Sequence, residues 1–144
     1  MYRGVQTDTR EQEIIVSLTT IPERLNYVAI AIESFFRQSI KPDRIILWLS
    51  GAQKSCQTSE NSSWLPKALR KQQQRGLEIR FCKDIGSYRK LVPTMKLFPQ
   101  ALIVTADDDL MYPPDWLARL VDANMEEPEF IHCHLAHRIS FSSQ

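Results

Sequence analysis

The segment Ala101-Leu102-Ile103-Val104-Thr105-Ala106-Asp107-Asp108-Asp109 passes from a short apolar run straight into three adjacent aspartates. An unbroken apolar run of this kind suits a strand buried on both faces, the pattern of a parallel sheet. The carboxylates then fall where that strand ends.

Working outward, similar runs alternate with helical patterns. Ile14-Ile15-Val16-Ser17-Leu18 and Ile45-Ile46-Leu47-Trp48-Leu49 read as two further buried strands. Between them, Leu25, Val28, Ala29, Ile32, Phe35 and Phe36 mark one face of a helix beginning near Arg24, with Pro22 before it and Lys41-Pro42 after it. Gln53 to Ser63 is polar and reads as an exposed loop. Leu65, Ala68 and Leu69 mark a short helix that Gly76 can end in a left-handed conformation. Leu77-Glu78-Ile79-Arg80-Phe81 alternates, as a strand near a sheet edge does.

Leu91, Met95 and Phe98 suggest another helix, with Pro93 in its first turn or at a kink. Trp116, Leu117, Leu120 and Val121 place a helix after Pro113-Pro114, ended by Pro128. Phe130 to Leu135 is expected to add a fifth strand. The alternation predicts an α/β chain: a Rossmann-like three-layer sandwich with a mainly parallel sheet and right-handed crossovers. Ligands of such sheets bind beyond the carboxyl ends of the strands. Interest therefore narrows to the loops Thr19–Arg24, Lys83–Lys90 and Thr105–Tyr112.

Composition sets the outer bounds. The chain has 144 residues, 43% hydrophobic and 24% charged, with 18 basic against 17 acidic side chains. One domain is expected, residues 13–139, with 1–12 a flexible leader and 140–144 a tail. The near-zero net charge of +1 argues against a nucleic-acid binder. No apolar run approaches the roughly 20 residues of a membrane-spanning helix, and the polar start reads as lacking a signal peptide. Cys56, Cys82 and Cys133 read as reduced thiols of a cytoplasmic protein.

Three neighbouring carboxylates repel one another by on the order of a few kcal/mol per pair, which water, protonation or a bound cation must relieve. A hard divalent ion prefers carboxylate oxygens and leaves positions for phosphate oxygens. Asp107 and Asp109 would share a side if the strand continued that far, with Asp108 pointing elsewhere. The plainer reading is an acidic turn capping the helix that follows. The His132-Cys133-His134…His137 run could bind a transition metal, but reads better as ordinary, partly buried histidines. Trp48, Trp64 and Trp116 read as packing residues. No G-x-x-x-x-G-K-[ST] phosphate loop is present, and the acids follow the fourth strand where a receiver-like phosphoacceptor domain would need them after the first and third.

Thr105-Ala106-Asp107-Asp108-Asp109-Leu110-Met111-Tyr112-Pro113 resembles the DxD region of GT-A fold, nucleotide-sugar-dependent glycosyltransferases, nearest to family-2-like enzymes of bacterial surface-polysaccharide synthesis. Val16-Ser17-Leu18-Thr19-Thr20-Ile21-Pro22-Glu23-Arg24-Leu25 resembles their first strand and nucleotide-binding turn, and Gly86-Ser87-Tyr88-Arg89-Lys90-Leu91 the segment ahead of the DxD strand. The likeness spans residues 14 to about 139 and covers mainly the donor-nucleotide half.

It implies a glycosyltransferase acting on a nucleoside diphosphate sugar, a UDP-sugar first among them, with a glycan or lipid-linked acceptor and Mn²⁺ or Mg²⁺ as cofactor. Asp107 and Asp109 would hold the metal; Thr19, Arg24, Lys90, Asp107 and Asp108 would bind the nucleotide sugar. Each has a plain alternative: Thr19 and Thr20 as helix caps, Arg24 as a solvated helix residue, Lys90 as a surface lysine. Leu135 stands where the family often has an arginine before a histidine, so no role is assigned to His137. The alternative function is a catalytically silent nucleotide-sugar-binding or interaction module. The short chain also reads as an incomplete copy whose exposed sheet edge invites self-association, with peripheral contact to the inner face of a membrane.

Overall fold

A computed structural model of the chain describes residues 4–6, 10–51 and 64–136. The expected loop Gln53–Ser63 with Cys56, the residue His137 and the tail 140–144 lie outside the described residues.

Among the described residues, four strands form one all-parallel sheet: β1 (Ile14–Thr19), β2 (Arg44–Ser50), β3 (Leu77–Cys82) and β4 (Leu102–Thr105), in the order β3-β2-β1-β4. Val16 stands opposite both Ile45 and Val104, and Ser17 opposite Ile46 and Thr105. Central β1 and β2 are buried almost throughout, which their continuous apolar sequence requires. β3 is an edge strand, as its alternation predicts.

The two sheet faces take different covers. Val16, Leu18, Ile45, Leu47 and Leu49 pack in the main core with α1 (Val28–Phe36), α2 (Lys67–Gln73) and α4 (Trp116–Glu126). Phe35 and Phe36 of α1 are wholly buried there, each side chain contributing roughly 1.5–3 kcal/mol of apolar burial. Ile15, Ile46 and Trp48 face the other way with Phe98 and Ala101. On this side lies α3 (Val92–Leu97), with a proline in its first turn. Arg44 and Arg80 lie over the Phe98 ring at 5.1 and 5.4 Å from its centroid and both pair with Glu78. The result is the expected three-layer arrangement.

The tryptophans behave as packing residues: Trp48 and Trp116 are buried, and Trp64 packs on Phe81. Gly76, at φ +112°, follows α2 in the conformation that favours glycine.

Three expectations need correction. The first helix does not start at Arg24: Pro22–Arg24 forms a separate 3₁₀ turn, and α1 begins at Val28. Hydrogen bonds from Tyr27 N to Arg24 O and Ile30 N to Tyr27 O keep the three-residue spacing up to that point.

The leader is docked wherever it is described. Gly4 N donates to Arg75 O at 2.9 Å, Gln6 N to Pro42 O at 2.8 Å, and an Arg10 Nη2 hydrogen bond reaches Lys41 O at 2.7 Å.

Phe130–Leu135 forms no strand. His132 Nε2 donates to Glu127 O at 2.8 Å and His134 Nε2 to Trp116 O at 3.1 Å, the His134 ring stacking on Trp116. These contacts fold the segment back on α4, so the two histidines share no strand face. Its apolar side chains stay outside, with Ile131 98% exposed. Among the described residues the sheet ends at β4.

Candidate functional site

The strand order places the site. From β1 the chain moves outward to β2 and β3, then crosses back so that β4 pairs with the opposite side of β1. The crevice beyond the carboxyl ends of β1 and β4 is therefore the point where the winding reverses, the usual ligand position in such sheets. A cleft of about 320 Å³ opens there. The turn after β1 (Thr19, Thr20, Ile21, Arg24), the 3₁₀ turn Gly86–Lys90 and the loop after β4 (Ala106, Asp107, Asp108) line it.

The β1 turn is fixed from beneath. Thr19 Oγ1 donates to Trp48 O at 2.8 Å, tying the end of β1 to β2, so this hydroxyl is engaged in structure while its residue lines the cleft. Thr20, only 2% exposed, donates from Oγ1 to Asp108 Oδ2 at 2.5 Å. Arg24 Nη1 lies 3.0 Å from Asp108 Oδ1 and 3.0 Å from Asp109 Oδ2. Asp108's hydrogen bond and charge, joined by Asp109, push the Arg24 guanidinium above its ordinary value, so it stays charged.

From the other wall, Lys90 Nζ donates to Asp107 Oδ1 at 2.6 Å. The Asp107 backbone N–H donates to the Tyr112 hydroxyl at 2.7 Å. Burial pushes the Tyr112 phenol up, the three aspartates adding to the effect, so it is neutral at ordinary pH. Its ring packs on Phe35 and Trp116, 5.1 and 4.3 Å between centroids, which anchors the acidic loop to the core.

Thus Thr19, Arg24, Lys90, Asp107 and Asp108, distant in sequence, are gathered around one crevice, while Asp109 is not part of its lining and is joined to it only through Arg24. The aspartates are not disposed as a continuing strand would dispose them. β4 stops at Thr105, Ala106 N makes a last bond to Ser17 O, and the side chains then separate by partner. Asp107 goes to Lys90, whereas Asp108 and Asp109 both go to Arg24. Asp107 and Asp109 are therefore not on one side.

Sequence reasoning left out Thr20 as a site residue, Gly86 and Ser87 of the cleft wall, Tyr112, and Arg89. Thr20 carries a faint signal, a second threonine at the strand end. Nothing local separates Arg89 from Lys90, because only the 3₁₀ turn decides which of the two faces inward.

Among the described residues, no group of three or more His, Cys, Asp and Glu is arranged to hold a metal. The chemistry of the donor set still fits one class of ion. Asp107 and Asp109 are each more than half exposed and offer hard oxygen ligands. Mg²⁺-type sites characteristically use one or two carboxylates and complete their shell with substrate phosphates and water.

A second, smaller cleft of about 190 Å³ lies beyond Asp108 and Asp109, lined by Tyr27, Ile30, Ala31, Leu110 and Met111. No helix among the described residues is long and apolar enough to cross a membrane. No protein-family model matches the sequence, and no curated protein matches it either.

Proposed function

We propose that the chain is the donor-binding part of a metal-dependent glycosyltransferase, taking a nucleoside diphosphate sugar, foremost a UDP-sugar, and a glycan or lipid-linked acceptor. The observation that carries this reading is the meeting of three separated segments at the strand-order reversal: the β1 turn, the Lys90 turn and the aspartate loop. The resemblance of the same three segments to GT-A enzymes supports it independently. Work in the cytoplasm, at the inner face of a membrane, belongs to the same proposal.

Asp107 and Asp109, which turn to different partners in the ligand-free chain, would have to leave Lys90 and Arg24 and come together to hold Mn²⁺ or Mg²⁺ with the diphosphate. The bound cation supplies Lewis-acid neutralisation of the charge that develops on the departing diphosphate. Lys90, in the wall of the same cleft, would add a positive charge near the phosphates. Arg24 holds Asp108 and Asp109 in place before the ligand enters, and Thr20 fixes the Asp108 carboxylate. The β1 turn, pinned by Thr19, forms the floor against which the nucleoside lies.

One observation favours a second reading, a module that binds nucleotide sugar without transferring it. Every carboxylate of the acidic loop is engaged by Arg24, Lys90 or Thr20, so none of these three aspartates stands free as a general base for an acceptor hydroxyl.

Calorimetric titration of UDP in the presence and absence of Mn²⁺ tests the proposal. Metal-dependent heat that disappears in Asp109→Ala is expected; binding indifferent to both metal and substitution would end it. A UDP-sugar turnover assay over a panel of glycan acceptors then separates the enzyme from the silent module.

A further inference from the structure

Arg89 precedes Lys90 by one residue, yet is only 5% exposed. Its Nε donates to Gly86 O at 3.0 Å, and its Nη1 lies 3.7 Å from Asp84 Oδ1, too far for a direct hydrogen bond. The Asp84 side chain is itself 65% exposed and screened by water. A guanidinium carries five N–H donors in a planar fork. The contacts just named use that capacity sparingly. No Arg89 nitrogen is a buried atom left without a partner, so the N–H groups not used in these contacts open onto the 320 Å³ cleft whose wall Arg89 helps to form.

The cleft is shaped to complete it. Gly86 sits at φ +62° beside Arg89, and a Cβ built there would meet nothing within 4 Å, so open room adjoins the guanidinium's own anchor. Lys90, on the same turn, already has a carboxylate partner in Asp107. What the neighbourhood of Arg89 lacks is an anion with several oxygens, and the guanidinium fork matches phosphate oxygens in geometry as well as charge.

We propose that Arg89 is a phosphate-binding residue of this cleft, receiving oxygens of a phosphate or diphosphate group on its inward-facing N–H groups. The identification of that group as the diphosphate of a nucleotide rests on the function proposed above; the phosphate site itself does not. Asp84, across from Arg89, acts as the exposed placeholder with which the ligand competes.

The test is calorimetric titration of the full chain with pyrophosphate, UDP and uridine, each with and without Mn²⁺, in the wild type, Arg89→Met, Arg89→Lys and Asp84→Asn. Arg89→Met is expected to lose about tenfold to a hundredfold in pyrophosphate and UDP affinity, as for a lost hydrogen bond to a charged group. Uridine binding stays unchanged and Arg89→Lys recovers part of the loss. Asp84→Asn keeps an acceptor for the Gly86 N–H, which Asp84 Oδ1 now binds at 3.0 Å, and removes only the charge. It should tighten pyrophosphate roughly two- to fivefold.

Absence of pyrophosphate binding, equal affinities in wild type and folded Arg89→Met, or a loss shared equally by uridine would each overturn the assignment. Should Arg89→Met fail to fold, an unchanged pyrophosphate affinity in Asp84→Asn overturns it instead. UDP that binds with metal but without regard to Arg89 sinks this inference and leaves the nucleotide reading standing. Arg89-dependent pyrophosphate binding, with UDP no better and Mn²⁺ without effect, does the reverse.

Discussion

Lys90 Nζ stands 2.6 Å from Asp107 Oδ1 and so joins the turn after β3 to the loop after β4 across the mouth of the cleft. The pair is partly solvated, the side chains 24% and 57% exposed, and such pairs contribute at most about 1 kcal/mol to folding. Lys90→Met should therefore shift Tm by less than about 4 °C. If Lys90 serves the ligand, the same variant loses UDP affinity by roughly tenfold or more. A melting curve beside a UDP titration separates the two roles, and unchanged affinity would reduce Lys90 to a structural strut.

Arg24 competes with any cation for Asp108 and Asp109. Replacing it by glutamine leaves the aspartates repelling one another without a counter-charge. Mn²⁺ affinity of the ligand-free protein should rise by roughly two- to fivefold in Arg24→Gln, with the gain shrinking at high salt. Titration of free Mn²⁺ by its electron spin resonance signal measures this directly. A fall in Mn²⁺ affinity would mean that Arg24 organises the aspartates more than it opposes the metal.

Thr94 carries the buried polar junction beneath the site. The Trp48 Nε1–H donates to its Oγ1 at 2.8 Å, and Ser17 Oγ lies 2.8 Å from the same atom, with Thr94 and Ser17 both at 0% exposure. Thr94→Val keeps the shape and strands both neighbours. A loss of about 1–3 kcal/mol for each group left unpaired is expected in urea denaturation. A loss below about 0.5 kcal/mol would show that the junction relaxes without it.

Glu33 sets an acid limit on stability. Burial alone would raise its carboxyl, but Arg75, bonded at 2.6 and 3.3 Å, together with Arg37 and Gln72, holds it below the ordinary glutamate value. A carboxyl depressed in the folded state stabilises the protein above its unfolded pKa and loses that contribution as pH falls through the folded one. Wild type should exceed Glu33→Gln by up to about 1 kcal/mol at pH 7. The gap should close as pH drops below about 4. Parallel curves of Tm against pH for the two proteins would contradict this.

Gly4 reports on the docking of the leader. A Cβ there would stand 1.8 Å from Cδ1 of the fully buried Phe36 ring. Gly4→Ala must move that ring or undock the segment, at a cost of roughly 1–3 kcal/mol. Limited proteolysis and urea melts together distinguish the outcomes, and a neutral substitution would show that residues 4–6 hold nothing in place.

The sequence by itself determined the sheet. Ile14–Leu18 and Ile45–Leu49 could be read as strands because a parallel strand buried on both faces must be apolar at consecutive positions, whereas the equally apolar Ala101–Val104 run gives β4, an edge strand in which Val104 alone is buried. The alternation of Leu77–Phe81 announced an edge for the same reason, since Glu78 and Arg80 need solvent or partners. The order of the β1 turn, the Lys90 turn and the aspartates was likewise written in the chain.

Tertiary structure decided the rest. Phe130–Leu135 looks like a strand locally, yet His132 and His134 find carbonyl acceptors on Glu127 and Trp116, and the segment pairs with no strand. Three consecutive aspartates are equivalent in sequence. Their assignment to Lys90 or Arg24 depends on where β4 ends against β1 and on which residues the crossover brings opposite them. Arg89 and Lys90 are adjacent bases, and one turn of 3₁₀ helix buries the first and leaves the second at the cleft mouth. The pairing of the aspartates comes from contacts across 17 to 85 positions, whose energies no local pattern encodes.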